Sequence, residues 1–161
     1  MEIRQTVMDD LEEVMEIYDD ARKYMRDSGN VNQWVNGYPN IELIKQDILD
    51  EKSYVCVDCN RIVGVFYFNK GPDPTYLTIY EGAWINEEPY SVVHRIASAS
   101  RQKGVASHCL DWCFNRLPNI RIDTHRDNYI MMNLLAKNSF SRCGIIYLED
   151  GSERIAYQKV I

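Results

Sequence analysis

Six residues in the middle of the chain, Arg101-Gln102-Lys103-Gly104-Val105-Ala106, have the types and spacing to bind an anion. They stand between a run that reads as a buried strand, Tyr90 to Ser100, and one that reads as an amphipathic helix, Ser107 to Leu117. A strand that breaks into a short turn and feeds a helix aims several unpaired backbone N–H groups at one point. The helix dipole adds positive potential there. Gly104 lets a ligand approach the backbone closely because no Cβ intervenes, and Arg101 and Lys103 add full charges. The chemistry is that of a pyrophosphate cradle. Two other common phosphate loops, GxxxxGK(S/T) and GxGxxG, do not occur in the chain. Cys56-x-x-Cys59 has the spacing of a metal or redox pair. However, no second pair with zinc-ribbon spacing follows it, and the motif straddles a strand and its turn instead of opening a helix. No metal site is expected.

The elements that would position the cradle follow from periodicity and turn chemistry. Glu2 to Val7 alternates like a strand. Asp9 reads as an N-cap with Glu12 as its capping-box partner. Leu11, Val14, Met15, Tyr18, Ala21 and Met25 then predict a helix to about Arg26. Asp27 to Asn40 is polar and reads as a loop. Its Trp34 and Tyr38 either wall a pocket for a small acceptor or pack the loop onto the body. Pro39-Asn40 starts a second helix, with Ile41, Ile44 and Ile48 on one face, ending near Asp50. Tyr54 to Val57 and Ile62 to Phe68 form a hairpin around Asp58-Cys59-Asn60. Gly71-Pro72-Asp73-Pro74 is a turn, and Tyr76 to Ile85 is a further strand or an irregular arm. Beyond the central helix, Ile120 to His125 is a strand. Asp127-Asn128 caps a short helix holding Ile130, Met131, Leu134 and Leu135. Phe140 to Leu148 and Arg154 to Ile161 are the last strands, joined around Glu149-Asp150-Gly151-Ser152. Cys109 and Cys113, four apart on the central helix, are expected on its core face.

Length and composition set the outer limits. A chain of 161 residues reads as a single domain spanning residues 1–161, long enough to bury a core without staples. A net charge of -6 argues against sequence-independent nucleic-acid binding and suits a cationic amine. No apolar run approaches the ~20 residues of a membrane span, and MEIRQTVMDD lacks the apolar core of a signal peptide. A cytoplasmic location with no membrane partner is therefore expected. The five cysteines, an odd number, are expected to be free thiols.

The order βααβββαβαββ and the cradle together resemble the GCN5-related N-acetyltransferases (GNAT), and the resemblance covers essentially the whole chain. Arg101-x-x-Gly104-x-Ala106 matches that family's Arg/Gln-x-x-Gly-x-Gly/Ala motif. Asp123-Thr124-His125-Arg126-Asp127-Asn128, followed by Lys137-Asn138-Ser139-Phe140, looks like its strand, Asn-led helix and Gly-Phe turn, with Ser139 where Gly is usual. The resemblance implies the acyl-CoA N-acyltransferase fold. This is a mixed α/β architecture with a seven-stranded, mostly antiparallel central sheet, splayed between strands 4 and 5, and helices on both faces. It also implies acetyl-CoA as cosubstrate and direct attack by a primary amine, of a small molecule or a peptide N-terminus, in a ternary complex. Homodimers are common in the family.

The same resemblance assigns residues. Pantetheine would lie along His94, Arg95, Ile96 and Ala97. The pyrophosphate would meet Gln102, Lys103, Gly104, Val105, Ala106 and Ser107 beside Arg101, and Asn128 would contact the cofactor. A thioester carbonyl under attack needs a donor for its developing oxyanion, and the N–H of Ile96 or Ala97 is the candidate. The amine arrives mostly protonated, since its pKa is about 10.4, so a proton acceptor is needed. Asp123 stands where related enzymes carry a Glu base, one methylene shorter here. His125, two residues on, titrates near neutrality, and His94 is a third candidate. Many members place a Tyr seven residues after the Asn to protonate the leaving thiolate; here that position is Leu135. This absence is what favours the alternative of a coenzyme A-binding sensor without turnover. Tyr147 is the candidate replacement.

Overall fold

Cys59 and Asn60 both have positive φ, 50° and 62°, as a type I′ turn requires, and the twist of such a turn matches that of the strands it joins. It closes β2 (Ser53–Asp58) on β3 (Arg61–Lys70). Around this hairpin the computed structural model, which describes residues 1–99 and 102–161, builds a seven-stranded sheet. Its other strands are β1 (Glu2–Gln5), β4 (Ser91–Ser98), β5 (Asn119–Thr124), β6 (Ser141–Tyr147) and β7 (Glu153–Val160). They lie in the order β1-β2-β3-β4-β5-β7-β6. Every pair is antiparallel except β4–β5, which is parallel and joined only at Ser91–Ile120 and Val92–Arg121. Beyond those residues the two strands part, as expected of a splayed sheet.

Helices cover both faces. On one face α1 (Leu11–Asp27) and α2 (Ile41–Leu49) bury Val14, Ile17, Tyr18, Ile44 and Ile48 against Val55 and Val65. On the other, α3 (Val105–Arg116) and α4 (Tyr129–Lys137) bury Cys109, Leu110, Cys113 and Leu135 against Phe66, Val93, Ile120 and Ile122. Cys109 and Cys113 thus sit in the core, where burial pushes both thiols up in pKa. Cys56 is buried and Cys59 exposed, so these two thiols share no site. Among the described residues no helix is long and apolar enough to cross a membrane.

One segment differs from expectation. The first strand ends at Gln5, and the capping carboxylate belongs to Asp10, not Asp9. Asp10 accepts from the Val7 N–H at 2.8 Å and from Arg4 at 2.7 Å, and a 3₁₀ turn (Met8–Asp10) precedes α1. Residues 71–90 form an irregular arm with one isolated bridge, Tyr80 to Ile145. Its Tyr76, Trp84 and Tyr90 are buried on Val92, Ile146 and Ala156. Arm and sheet touch backbone to backbone. A Cβ on Gly82 would run into the Cys143 carbonyl, and one on Gly144 into that of Tyr80.

Candidate functional site

The centre of the site is an irregularity in β4. The β3–β4 register pairs Tyr67 with His94 and Val65 with Ala97, so Arg95 and Ile96 stand against Phe66 alone. That is a β-bulge. Arg95 has φ of 51°, a left-handed conformation costing a non-glycine residue about 1–2 kcal/mol, which the surroundings must hold in place. The buried Tyr18 hydroxyl on α1 donates to the Arg95 carbonyl at 2.9 Å. The Arg95 guanidinium donates to both oxygens of Asp47 on α2, at 3.0 and 2.9 Å, and to the Tyr38 hydroxyl at 3.1 Å. It also lies 4.6 Å above the Tyr67 ring. Burial raises the Asp47 pKa against the opposing pull of Arg95, so this pair is more costly to break than its formation is stabilising. In a trans peptide, C=O and N–H point in opposite directions. With the Arg95 carbonyl turned toward α1, the Ile96 N–H turns away from it.

Two cavities flank the bulge. One, of about 500 Å³, lies between α1, β4 and α4 and is lined by Tyr24, Ile96, Ala97, Ala106, Asn128 and Leu134 among others. The other, of about 540 Å³, lies toward the arm and is lined by Trp34, Tyr38, His94, Asp123 and Arg154 among others. Met25, Ile96 and Met131 line both. A long ligand in the first cavity therefore presents its end to the second beside Ile96. Trp34 is both wall and packing: it is buried and meets Tyr18 and Tyr38 edge-on.

Of the residues expected to form the cradle, Ala106 in the first turn of α3 lines the first cavity. Gly104 precedes α3 with φ of 83°, and nothing lies within 4 Å of where its Cβ would be. Gly64 lets α3 begin hard against the sheet, since a Cβ there would come within 2.7 Å of Val105. The N–H groups of the first turn of α3, from Val105 to Ser107, have no carbonyl within the helix to bind. Gln102 differs: its N–H donates to Ala99 and its side-chain amide to Asp58. Lys103 is exposed, and Arg101 lies outside the described residues. Asn128 caps α4 by accepting from Met131 and donates to Gln33 at 2.9 Å, so its side chain serves the cavity wall. Asn30, buried on the same wall, has an Oδ1 atom with no hydrogen-bond partner among the described residues. Open helix N–H groups are what a pyrophosphate can use.

The acid–base candidates separate in space. Asp123 lines the second cavity; its Oδ2 accepts from the Tyr76 hydroxyl at 2.6 Å, while Oδ1 has no hydrogen bond among the described residues. Tyr76 is fully buried, and burial with the adjacent Asp123 charge raises its pKa far above the usual value, so it stays a donor. His94 also faces this cavity, with Nε2 2.8 Å from Asp73. Burial opposes ionisation of Asp73, but hydrogen bonds from His94 and Thr75 outweigh it and hold the carboxyl at about 2. His125 lines neither cavity. Burial, with Arg154 close by, lowers its pKa, and its Nδ1 accepts from the Asp127 N–H at 3.0 Å. The neutral ring therefore carries its proton on Nε2 and presents a donor. Leu135 is fully buried in the core. Tyr147 packs edge-on against Tyr80 and reaches neither cavity. Asp47, Tyr76 and Asp73 carried no signal in the sequence, because Arg95, Asp123 and His94, their partners, lie on other elements; nor did Arg154, whose burial depends on the whole fold.

No protein-family model matches the chain, and no curated protein does. Solved structures do match. An acetyltransferase of the GNAT family from Streptococcus agalactiae is 30% identical, with a TM-score of 0.91, over 99% of this chain and 95% of that one. The ribosomal-protein-alanine N-acetyltransferase of Brucella melitensis is 16% identical, with a TM-score of 0.69, over 100% of both chains. A chain of the NatB acetyltransferase complex bound to CoA and MES is 12% identical, with a TM-score of 0.66, over 100% of this chain and 99% of that one. At their identities the last two speak for the fold alone.

Proposed function

Because the chain belongs to the GNAT family of acetyltransferases, we propose that it transfers an acetyl group from acetyl-CoA to the nitrogen of a primary amine, with both substrates bound at once. The observation that carries this reading is the meeting of two cavities at Ile96, beside a bulge held by Tyr18, Asp47 and Tyr38. When bound, acetyl-CoA supplies an activated acyl carbon whose bond to sulfur breaks as the amine's C–N bond forms, and a thiolate of pKa about 8.5 that leaves without a dedicated acid.

The chain's own residues do the rest. The turn from Gly104 to Ser107 holds the pyrophosphate on its N–H groups, with Arg101 and Lys103 adding charge. Ile96 and Ala97 pair with the pantetheine amides along β4. The Ile96 N–H faces the developing oxyanion. Asp123 accepts the amine proton on Oδ1, directly or through one water, while Tyr76 holds its other oxygen in place. His125, in the tautomer that the Asp127 N–H selects, offers an Nε2 donor but lies outside both cavities. Trp34 and Tyr38 wall the acceptor's side.

Thiol release from acetyl-CoA across a panel of amino acids, polyamines, aminoglycosides and peptides with free N-termini tests the reading, run beside calorimetric binding of acetyl-CoA. Saturable binding with turnover by at least one amine class is the expected result. Binding without turnover by any amine overturns the transfer, and absence of binding overturns the cradle.

A further inference from the structure

Arg154, at the start of β7, is 6% exposed and lines the second cavity. Its guanidinium donates to two backbone carbonyls, that of Glu153 at 2.8 Å and that of Gln33 at 3.4 Å. Among the described residues no carboxylate lies within ion-pair distance of it. A buried arginine is ordinarily paired, and its neighbours obey that rule. Facing the same cavity, Arg95 is held by Asp47 and His94 by Asp73. Asp150 on the cavity rim is engaged by the Ser152 N–H. Arg154 thus brings a cationic fork with spare donors to an acceptor-sized space.

The sheet register sets where that fork stands relative to the base. Asp123 pairs with Ala156 across β5–β7, and alternation puts Arg154 and Ala156 on the same face. Arg154 is therefore the diagonal neighbour of Asp123, somewhat under about 7–8 Å away between Cβ atoms. One side of the pair is a carboxylate with an open oxygen, suited to an ammonium group. The other is an unpaired guanidinium, suited to a carboxylate in two-point contact. We infer that the acceptor is a small amine carrying its own carboxylate, an α-amino acid or close analogue, with Arg154 as the carboxylate-binding residue. The inference rests on the acyl-transfer reading above. It separates a free amino acid from a protein N-terminus, in which a neutral peptide bond replaces that carboxylate.

The test compares common amino acids with their carboxamides, which keep the amine and lose the charge. The expected kcat/KM is at least about tenfold higher for the acids, the worth of a charge-assisted hydrogen bond, with the difference carried by KM. Arg154→Gln should erase the preference by raising KM for the acids alone, and Arg154→Lys should keep part of it. Carboxamides used equally well, or a preference that survives Arg154→Gln, would overturn the assignment. The wild-type comparison stands even if the variants fold poorly. A second arm measures binding of N-acetyl amino acids and their carboxamides to the protein saturated with CoA, by calorimetry. Acid-selective binding without turnover would sink acetyl transfer and leave this site standing. Turnover of polyamines or peptides with no acid-selective binding would do the reverse.

Discussion

Asp47→Ala is the most searching single change, because Asp47 touches neither cavity and acts only through Arg95. The Asp47 and Arg95 side chains are 7% and 10% exposed. Removing one partner of such a buried pair costs about 3–5 kcal/mol, since the other charge is left uncompensated. Arg95 keeps the Tyr38 hydroxyl and the Tyr67 ring face, which places the loss near the lower figure, about 3 kcal/mol. For a chain of this length each kcal/mol moves Tm by about 2–4 °C, so a fall of about 6–12 °C is expected. The left-handed backbone at Arg95 then loses one of its restraints. If the Ile96 N–H drifts from its aim, kcat falls by about 10²–10³-fold, the usual worth of one oxyanion donor. On the proposed reading acetyl-CoA affinity is set mainly at the α3 turn and should change little. Thermal melts and steady-state kinetics well below the variant's Tm read the two effects separately, and Asp47→Asn, which keeps one acceptor oxygen, should fall between. A melt within about 2 °C of wild type would refute the energetic argument. A destabilised variant with normal kcat would refute the claim that the pair aims the amide.

Three further outcomes can be checked independently. Gly104→Glu should fold, losing only the about 1–2 kcal/mol that its left-handed φ costs a non-glycine residue because open space surrounds that position, yet lose acetyl-CoA binding in calorimetry; unchanged affinity would remove the cradle. Asp123→Asn should lower kcat/KM by about 10²–10⁴-fold and flatten the acid limb of the pH–rate profile, whereas His125→Ala should keep that limb; the opposite pattern would exchange their roles. Asp73 is held at about 2 against an ordinary 3.8, so its contribution to stability is complete above about pH 4 and is lost as pH falls through about 2. Urea titrations should accordingly show the gap between wild type and Asp73→Asn shrinking across that window, and a gap that widens there would contradict the assignment.

Much of the frame was readable from local pattern. Asn40 and Asn128 cap the helices they were expected to start, each accepting from the N–H three residues on. The element order matched strand for strand, and the parting of β4 from β5 followed from the resemblance. What escaped was whatever depends on partners far apart in the chain. A positive φ at an arginine has no propensity signature, and the residues restraining Arg95, Tyr18 and Asp47, lie 77 and 48 positions away. The Tyr76–Asp123 bond spans 47 positions and needs an arm whose path is set by two glycine close approaches, not by periodicity. Arg154 looked like an ordinary strand-end cation; what distinguishes it is that, among the described residues, no carboxylate comes within ion-pair distance of its buried guanidinium.

The two-pair contact between β4 and β5 has a consequence for what may enter the sheet. Past Val92 each strand presents ladder groups to the other across a gap, so the sheet carries an interior margin as well as its two outer ones. Margins of this kind invite a foreign polypeptide to dock and propagate pairing. Here α1 and α4 stand on either side of the opening, so only a slender chain entering lengthwise gains access. The walls that would admit the proposed thin, amide-bearing tether stand in the way of intermolecular β-association at this margin.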